Sequence, residues 1–385
     1  MTDWLKEAHE IKEELKALRR QLHRFPETGN QELKTTETIE AYLKELGIET
    51  KRPLQTGVIG ILKGTKEGRT AAFRSDIDAL PVTEQTGLPF ASENEGVMHA
   101  CGHDFHMTAL LGAAKLLAKH RDELPGSVIF IFQPDEEESG GAERLIEAGV
   151  IDEADAVFGC HVNPDLKAGE IGIKYGPFYA AAAKYDVTVH GRQSHGAEPE
   201  KGIDALYAAA LMCTKLKTLC GDYDGKKAVV TTGTLVSGKA RNIISDEAHF
   251  TGIIRTSDRA LREVMKEKVE AVIEETDKIT GTKSDADIYD GYCGIVNHDR
   301  ETEFVQRCAE ELLGTENVTV LNEGTLTSED FGFYLLKKPG SFYHLGVQSE
   351  AGLHSPLFDP DESALAKGAA LHAYVLWQYL NKGTH

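Results

Sequence analysis

Apolar positions along the chain recur in two periods. Trp4, Ala8, Ile11, Leu15, Leu18 and Leu22 fall three or four apart among charges, which predicts an amphipathic helix over 4–22. Short apolar runs then alternate with helical patterns: GVIGILKG at 57–64, TAAFRSDI at 70–77, a helix over 106–124, GSVIFIF at 126–132, a helix over 141–149 and AVFGCHV at 156–162. Strands separated by helices imply right-handed crossovers and a mostly parallel sheet covered on both faces. The expectation is an α/β domain with a mostly parallel or mixed sheet.

From about residue 180 the rhythm changes to KYDVTVHG, a long helix over 201–220, AVVTTGTLVSG, EAHFTGIIRTS, a second helix over 259–279 and SDADIYDG. The order strand, helix, strand, strand, helix, strand is the split βαβ arrangement of a ferredoxin-like domain. After it the α/β alternation returns, with a helix over 301–313, NVTVLN, helix-like SEDFGFYLLKK, SFYHLGV and a closing helix over 361–381. The pattern therefore divides the chain into a domain of residues 1–180 and 291–385 and an inserted domain of residues 181–290.

A chain of 385 residues is long enough for two cores. The excess of 62 acids over 42 bases leaves a formal charge of -20, which disfavours nucleic acid as a partner because phosphates need cationic side chains. No run approaches the roughly 18 apolar residues of a membrane span, and the first residues lack the apolar core of a signal peptide. A cytoplasmic location is the default. Six cysteines in a chain of this length then read as reduced thiols rather than a disulfide framework.

Candidate reactive groups fall just after the expected strands. Asp76 and Asp78 follow TAAFRS, the run Asp135, Glu136, Glu137 and Glu138 follows VIFIF, and His161 closes AVFGCH. In open α/β sheets, ligands bind beyond the carboxyl ends of the strands, so these loops are expected to converge. Cys101 and His103, two apart around Gly102 in MHACGHDFHM, can face one cation. A lone Cys-x-His is most often structural; the acid run and His161 at neighbouring strand ends turn the reading towards metal. His354, in the turn-rich AGLHSPLFDP, would supply a fifth ligand, although an ordinary loop histidine fits as well. One hydrolytic zinc rarely takes five protein ligands, so two metals sharing a bridging group is the simpler reading. Paired metals lower the pKa of a bound water and polarise a carbonyl, and a nearby carboxylate must take and return the proton.

The chain resembles the dinuclear metal amidohydrolases that include hippurate hydrolases, aminoacylases, plant indole-acetyl-amino-acid hydrolases and related carboxypeptidases. The likeness runs nearly end to end through LRRQLHRFPE, SDIDALPVTEQTGLPF, MHACGHDFHM, FQPDEEESGGA, GCHV, GRQSHG, ARNII, TSEDF and LHSP. It implies Cys101, His103, Glu137, His161 and His354 as ligands of two divalent ions (Zn, Mn, Co or Ni), with Glu136 as general base and acid. Asp78 is implied as the acid orienting a ligand or the base, and Asp135 and Glu138 as bystanders in places often held by small residues. The inserted domain is implied to be a lid and the surface of a homodimer. By itself His195 would read as a turn histidine; the resemblance implies that it enters the partner subunit's site and stabilises the oxyanion. Asn242 and Arg255 match positions that meet the substrate or its carboxylate.

The chain departs from its relatives at Phe105, often Gly, at Gln193 and Ser194, often small, at Ala183, often Asp, and near Glu200, where a polar, hydrogen-bonding residue is common. None removes a ligand or the base, but Phe105 and the altered lid loop bear on substrate shape. The expected reaction is hydrolysis of an N-acyl amino acid or similar small conjugate. The alternatives are a dipeptidase or carboxypeptidase acting on small peptides, and a metal- and ligand-binding homologue without activity. Glu136 beside a full ligand set argues against the last.

Overall fold

The computed structural model describes residues 2–382. The chain divides into two units, one of Met1–Gly176, Val296–Glu323 and Asp330–His385, the other of Pro177–Ile295 and Gly324–Glu329.

The first unit is built on an eight-stranded mixed sheet. Across it lie Glu49–Lys51, Val58–Lys63, Pro125–Gln133, Lys66–Asp76, Ala156–Asn163, Gly340–Gly346, Ile171–Ile173 and Val318–Val320. Its centre is parallel: Pro125–Gln133, Lys66–Asp76, Ala156–Asn163 and Gly340–Gly346 all run the same way. These strands are buried almost throughout, as expected where helices cover a sheet. Helices His103–Lys119 and Ala364–Lys382 pack on each other and on Lys66–Asp76, joined by Lys12–Arg24 and Asp299–Leu313. The expected first helix is two, Trp4–Glu10 and Lys12–Arg24, hinged at Ile11 (φ -99°, ψ 6°). Their apolar stripe is nonetheless continuous: Trp4, Ala8, Leu15, Leu18 and Leu22 are all in the core.

The second unit is a five-stranded antiparallel sheet in the order Gly221–Tyr223, Lys226–Ser237, Glu247–Thr256, Ala181–His190, Lys283–Asp290. Tyr185, Val187 and Val189 alternate to one face and meet helices Ala205–Lys217 and Arg259–Thr280 in a core with Ala209, Met212, Met265 and Val269. Both helices open on an aspartate cap, Asp204 accepting the Tyr207 N–H and Asp258 the Leu261 N–H, each at 3.0 Å. Apart from the extra edge strand Gly221–Tyr223, this is the ferredoxin-like order read from the sequence. No helix among the described residues is long and apolar enough to cross a membrane.

Candidate metal centre

Parallel pairing gathers the chemistry. Asp76 pairs in register with Gln133 at the carboxyl ends of two neighbouring strands, and His161 lies two residues before the end of the next strand over. The loops carrying Asp78 and the acid run therefore leave the sheet at one edge, where open α/β sheets bind ligands. Cys101 and His103 arrive at the start of helix His103–Lys119 through Gly102, whose φ of 83° suits glycine. A Cβ there would also lie 2.6 Å from Val162 Cγ2, so this close approach needs the missing side chain. The His354 loop is tied to the same place by its backbone N–H on Ala100 O, 2.8 Å.

The five expected ligands come together. Cys101 Sγ is 3.4 Å from His161 Nε2 and 3.3 Å from His354 Nε2. Glu137 Oε1 is 3.3 Å from His354 Nε2 and 3.8 Å from His103 Nε2. Two triads of candidate ligand atoms, Cys101–His103–His161 and Cys101–Glu137–His354, share the thiol. Backbone carbonyls fix the tautomers: His161 Nδ1 donates to Val162 O and His103 Nδ1 to Asp78 O, both at 2.8 Å. A carbonyl only accepts, so each Nδ1 carries a proton and the Nε2 atoms face the cluster, where a cation would take their lone pairs.

Metal ions fit this set. His103 Nε2 and Glu137 Oε1 are buried, face each other and have no hydrogen-bond partner among the described residues. Buried polar atoms are otherwise almost always paired, and a cation satisfies both at once. The electrostatics agree. Burial opposes charge on His103, yet Asp76, Asp78 and Glu137 raise its pKa to about 10. Burial, then Glu137 and Glu136, push the Cys101 thiol well up. Against the pull of burial, His354 and His103 lower Glu137 to about 2. The shifts of His103 and Cys101 express a surplus of negative charge that a bound cation would answer, while Glu137 is held ionised by the neighbouring imidazoles. His161, lowered to about 4 by burial, is a neutral imidazole ready to donate its lone pair.

Glu136 is buried, 5% exposed, with a carboxylate oxygen within 4.8 Å of the candidate ligand atoms of His103 and Glu137. Asp78 reaches both sides of the cluster, its Oδ1 at 3.2 Å from His103 Nδ1 and its Oδ2 accepting the Glu137 N–H at 3.0 Å. His106 was not singled out from sequence, although its partner Asp76 was. His106 Nδ1 donates to Asp76 Oδ1 at 2.6 Å and its Nε2 accepts the Val162 N–H at 2.8 Å, while Arg74 Nη1 holds Asp76 Oδ2 at 2.7 Å. The available signal was spacing: His103 and His106 are three apart and share one helix face.

Two expectations change. Asp135, expected with Glu138 to be a bystander, is fully buried, with φ 59° and paired side-chain oxygens, whereas Glu138 is exposed. Phe105 is fully buried in the core of the first unit, so it acts on packing and not as a wall against substrate.

The remaining expected residues lie in the second unit. His195, exposed, sits on a two-residue strand paired with Ile243–Ile244, and Asn242 O accepts the Gly196 N–H at 2.7 Å, so these two share one corner. His195 Nδ1 accepts the Ala197 N–H at 3.1 Å, which leaves the proton on Nε2. Arg255, half-buried, lies on strand Glu247–Thr256 between Val229 and Ala182, and burial lowers its pKa. Glu200 is exposed and Ala183 fully buried.

A cation-seeking cluster with a carboxylate beside it, at the end of parallel strands, is the equipment of a metal-dependent hydrolase of amide bonds. Over residues 72–378 the chain matches peptidase family M20/M25/M40, and it belongs to that family. It is 37% identical over 363 residues to N-acetyl-L-cysteine deacetylase of Bacillus subtilis, covering 93% of this chain and 86% of that protein. It is 34% identical over 388 residues to thermostable carboxypeptidase 1 of Saccharolobus solfataricus, covering 98% of each. Among solved structures, a dinuclear metal-binding M20 peptidase of Bacillus subtilis superposes with a TM-score of 0.87 at 35% identity, over 97% of this chain and 99% of that one. That likeness and the two triads agree on two divalent metal ions.

Proposed function

We propose that this chain hydrolyses the amide bond of N-acyl amino acids or similar small conjugates, with Cys101, His103, Glu137, His161 and His354 holding Zn, Mn, Co or Ni and Glu136 as the general base. The observation that carries the reading is the buried Glu136 carboxylate beside His103 Nε2 and Glu137 Oε1, buried atoms with no hydrogen-bond partner among the described residues. When bound, the ions supply a water of lowered pKa and polarise the scissile carbonyl. Glu136 accepts the proton of the attacking water, then delivers it to the departing nitrogen as the C–N bond breaks. Its burial keeps that proton away from solvent. Asp78 keeps the His103 ring oriented and holds the Glu137 amide.

His195, with its proton on Nε2, is suited to donate to the developing oxyanion, and Arg255 and Asn242 to hold the substrate's carboxylate. The family likeness has His195 act in the partner subunit, which requires a homodimer through the second unit. One feature supports that assembly: beyond Ala228 the outer edge of strand Lys226–Ser237 has no strand partner among the described residues, and it carries Leu235 and Val236, 40% and 69% exposed. Such an edge is a template for pairing with another chain. Six unpaired cysteines support a cytoplasmic location.

The similarity to a carboxypeptidase favours a second reading, cleavage of small peptides. Stripping the protein of metal, restoring each of the four metals in turn and assaying acetyl-, benzoyl- and aminoacyl-amino acids separates the two. We expect turnover of the acyl amino acids to exceed that of the aminoacyl ones. A preference for the aminoacyl compounds would favour the peptidase, and no hydrolysis with any metal would contradict both.

A further inference from the structure

We propose that Asp135 is a positioning residue: it clamps the loop 134–140 that carries Glu136 and Glu137, and so fixes where both carboxylates point. The inference rests on the reading of those two glutamates as base and ligand.

Strand Pro125–Gln133 ends directly before this loop, and the chain must turn at once to bring two adjacent glutamates into the centre. Asp135 makes the turn from a left-handed backbone, φ 59°, which Asp and Asn tolerate better than other residues with side chains. Its Oδ2 accepts from Asn30 Nδ2 at 2.7 Å, from Arg144 Nη2 at 2.8 Å and from the Ser139 hydroxyl. Its Oδ1 takes the Ser139 N–H at 3.4 Å, and its carbonyl takes the Gly140 N–H at 3.0 Å. Arg144 closes the ring by donating to Asn30 Oδ1 at 2.8 Å and Gly140 O at 3.0 Å. A Cβ on Gly29 would collide with Asp135 Oδ1, so the neighbouring loop is also shaped to admit this carboxylate.

Other acids hold further amides of the turn and of the helix start that follows it. Glu32 Oε1 accepts the Asp135 N–H at 2.9 Å, Asp78 Oδ2 the Glu137 N–H at 3.0 Å, and Asp330 Oδ2 those of Gly141 and Ala142, both at 3.0 Å. Among these acids, only Asp135 ties the loop through its own side chain to both the distant loop of Gly29 and Asn30 and the following helix, Ala142–Glu147. Removing that carboxylate leaves Asn30 and Arg144 without their shared acceptor and frees the loop on the side that carries Glu136 and Glu137. Metal affinity and turnover should fall together, while groups that meet the substrate elsewhere are untouched.

The test compares Asp135→Gly, which keeps the backbone accessible but deletes the carboxylate, with Asp135→Asn and Arg144→Met. Metal affinity is read by chelator competition, kcat and KM on the best acyl amino acid, and folding by the thermal midpoint. We expect Asp135→Gly and Arg144→Met each to lose roughly 10- to 100-fold in both metal affinity and kcat, as on loss of a residue that orients a ligand, with KM little changed and Asp135→Asn recovering most of the loss. Wild-type affinity and kcat with only a lowered midpoint would make Asp135 structural and overturn the proposal. Should Asp135→Gly not fold, Arg144→Met decides alone, since the Arg144 side chain is 38% exposed and its loss opens no core cavity. Glu137→Ala is the control: if it binds metal as the wild type does, the reading of the centre fails independently of the clamp.

Discussion

Glu32 shows how far a single buried carboxyl can be moved. It is fully buried, and burial together with the nearby Asp78 charge raises its pKa from 4.5 to about 7, against the pull of the Asp135 N–H. A carboxyl whose folded pKa is raised holds its proton in the folded state over a window in which the unfolded chain has released it. Its contribution is therefore greatest below about pH 4.5 and is lost as the pH rises to about 7. Glu32→Gln, which keeps the neutral shape, should flatten the fall in unfolding free energy between pH 5 and 8. Denaturant melts of both proteins at the two pH values measure this; an unchanged slope would place the titration elsewhere.

At the scale of elements, the exposed edge of strand Lys226–Ser237 carries its own prediction. Val236→Lys places a charge on an edge where another strand would have to pair, a common device against edge-to-edge association. In sedimentation, the wild type should run at twice the chain mass of 42.1 kDa and the variant as a single chain. A wild-type monomer would contradict the assembly. The elements that sequence pattern foretold are those with undiluted periodicity, such as Pro125–Gln133 and Arg259–Thr280. Helix Leu33–Glu45 escaped because two of its four buried positions are threonines, Thr35 and Thr36, which mute the apolar stripe of Ile39 and Leu43. Strand Ile171–Ile173 is three residues long and exists through its pairing with Gly340–Gly346 and Val318–Val320. The same logic divides the site. Ligand residue types and their places after strands were legible, because parallel strands deliver their carboxyl ends to one edge. Asp135 was not: its burial depends on Asn30, 105 residues away, and no local pattern encodes that contact.

The whole molecule joins an α/β unit that concentrates carboxylates and imidazoles at one sheet edge to a ferredoxin-like unit that carries His195, Asn242 and Arg255. The formal charge of -20 is a surface property; the charge that matters chemically is the small buried surplus around His103 and Cys101. Two adjacent glutamates of that surplus are assigned different work, and separating them tests the account most directly. In protein loaded with the best metal, turnover of an acyl amino acid and bound metal are measured for Glu136→Gln and Glu137→Ala. The account predicts that Glu136→Gln keeps its metal while turnover falls at least about a hundredfold, as on loss of a general base, and that Glu137→Ala loses metal. Near-normal turnover in Glu136→Gln would contradict it.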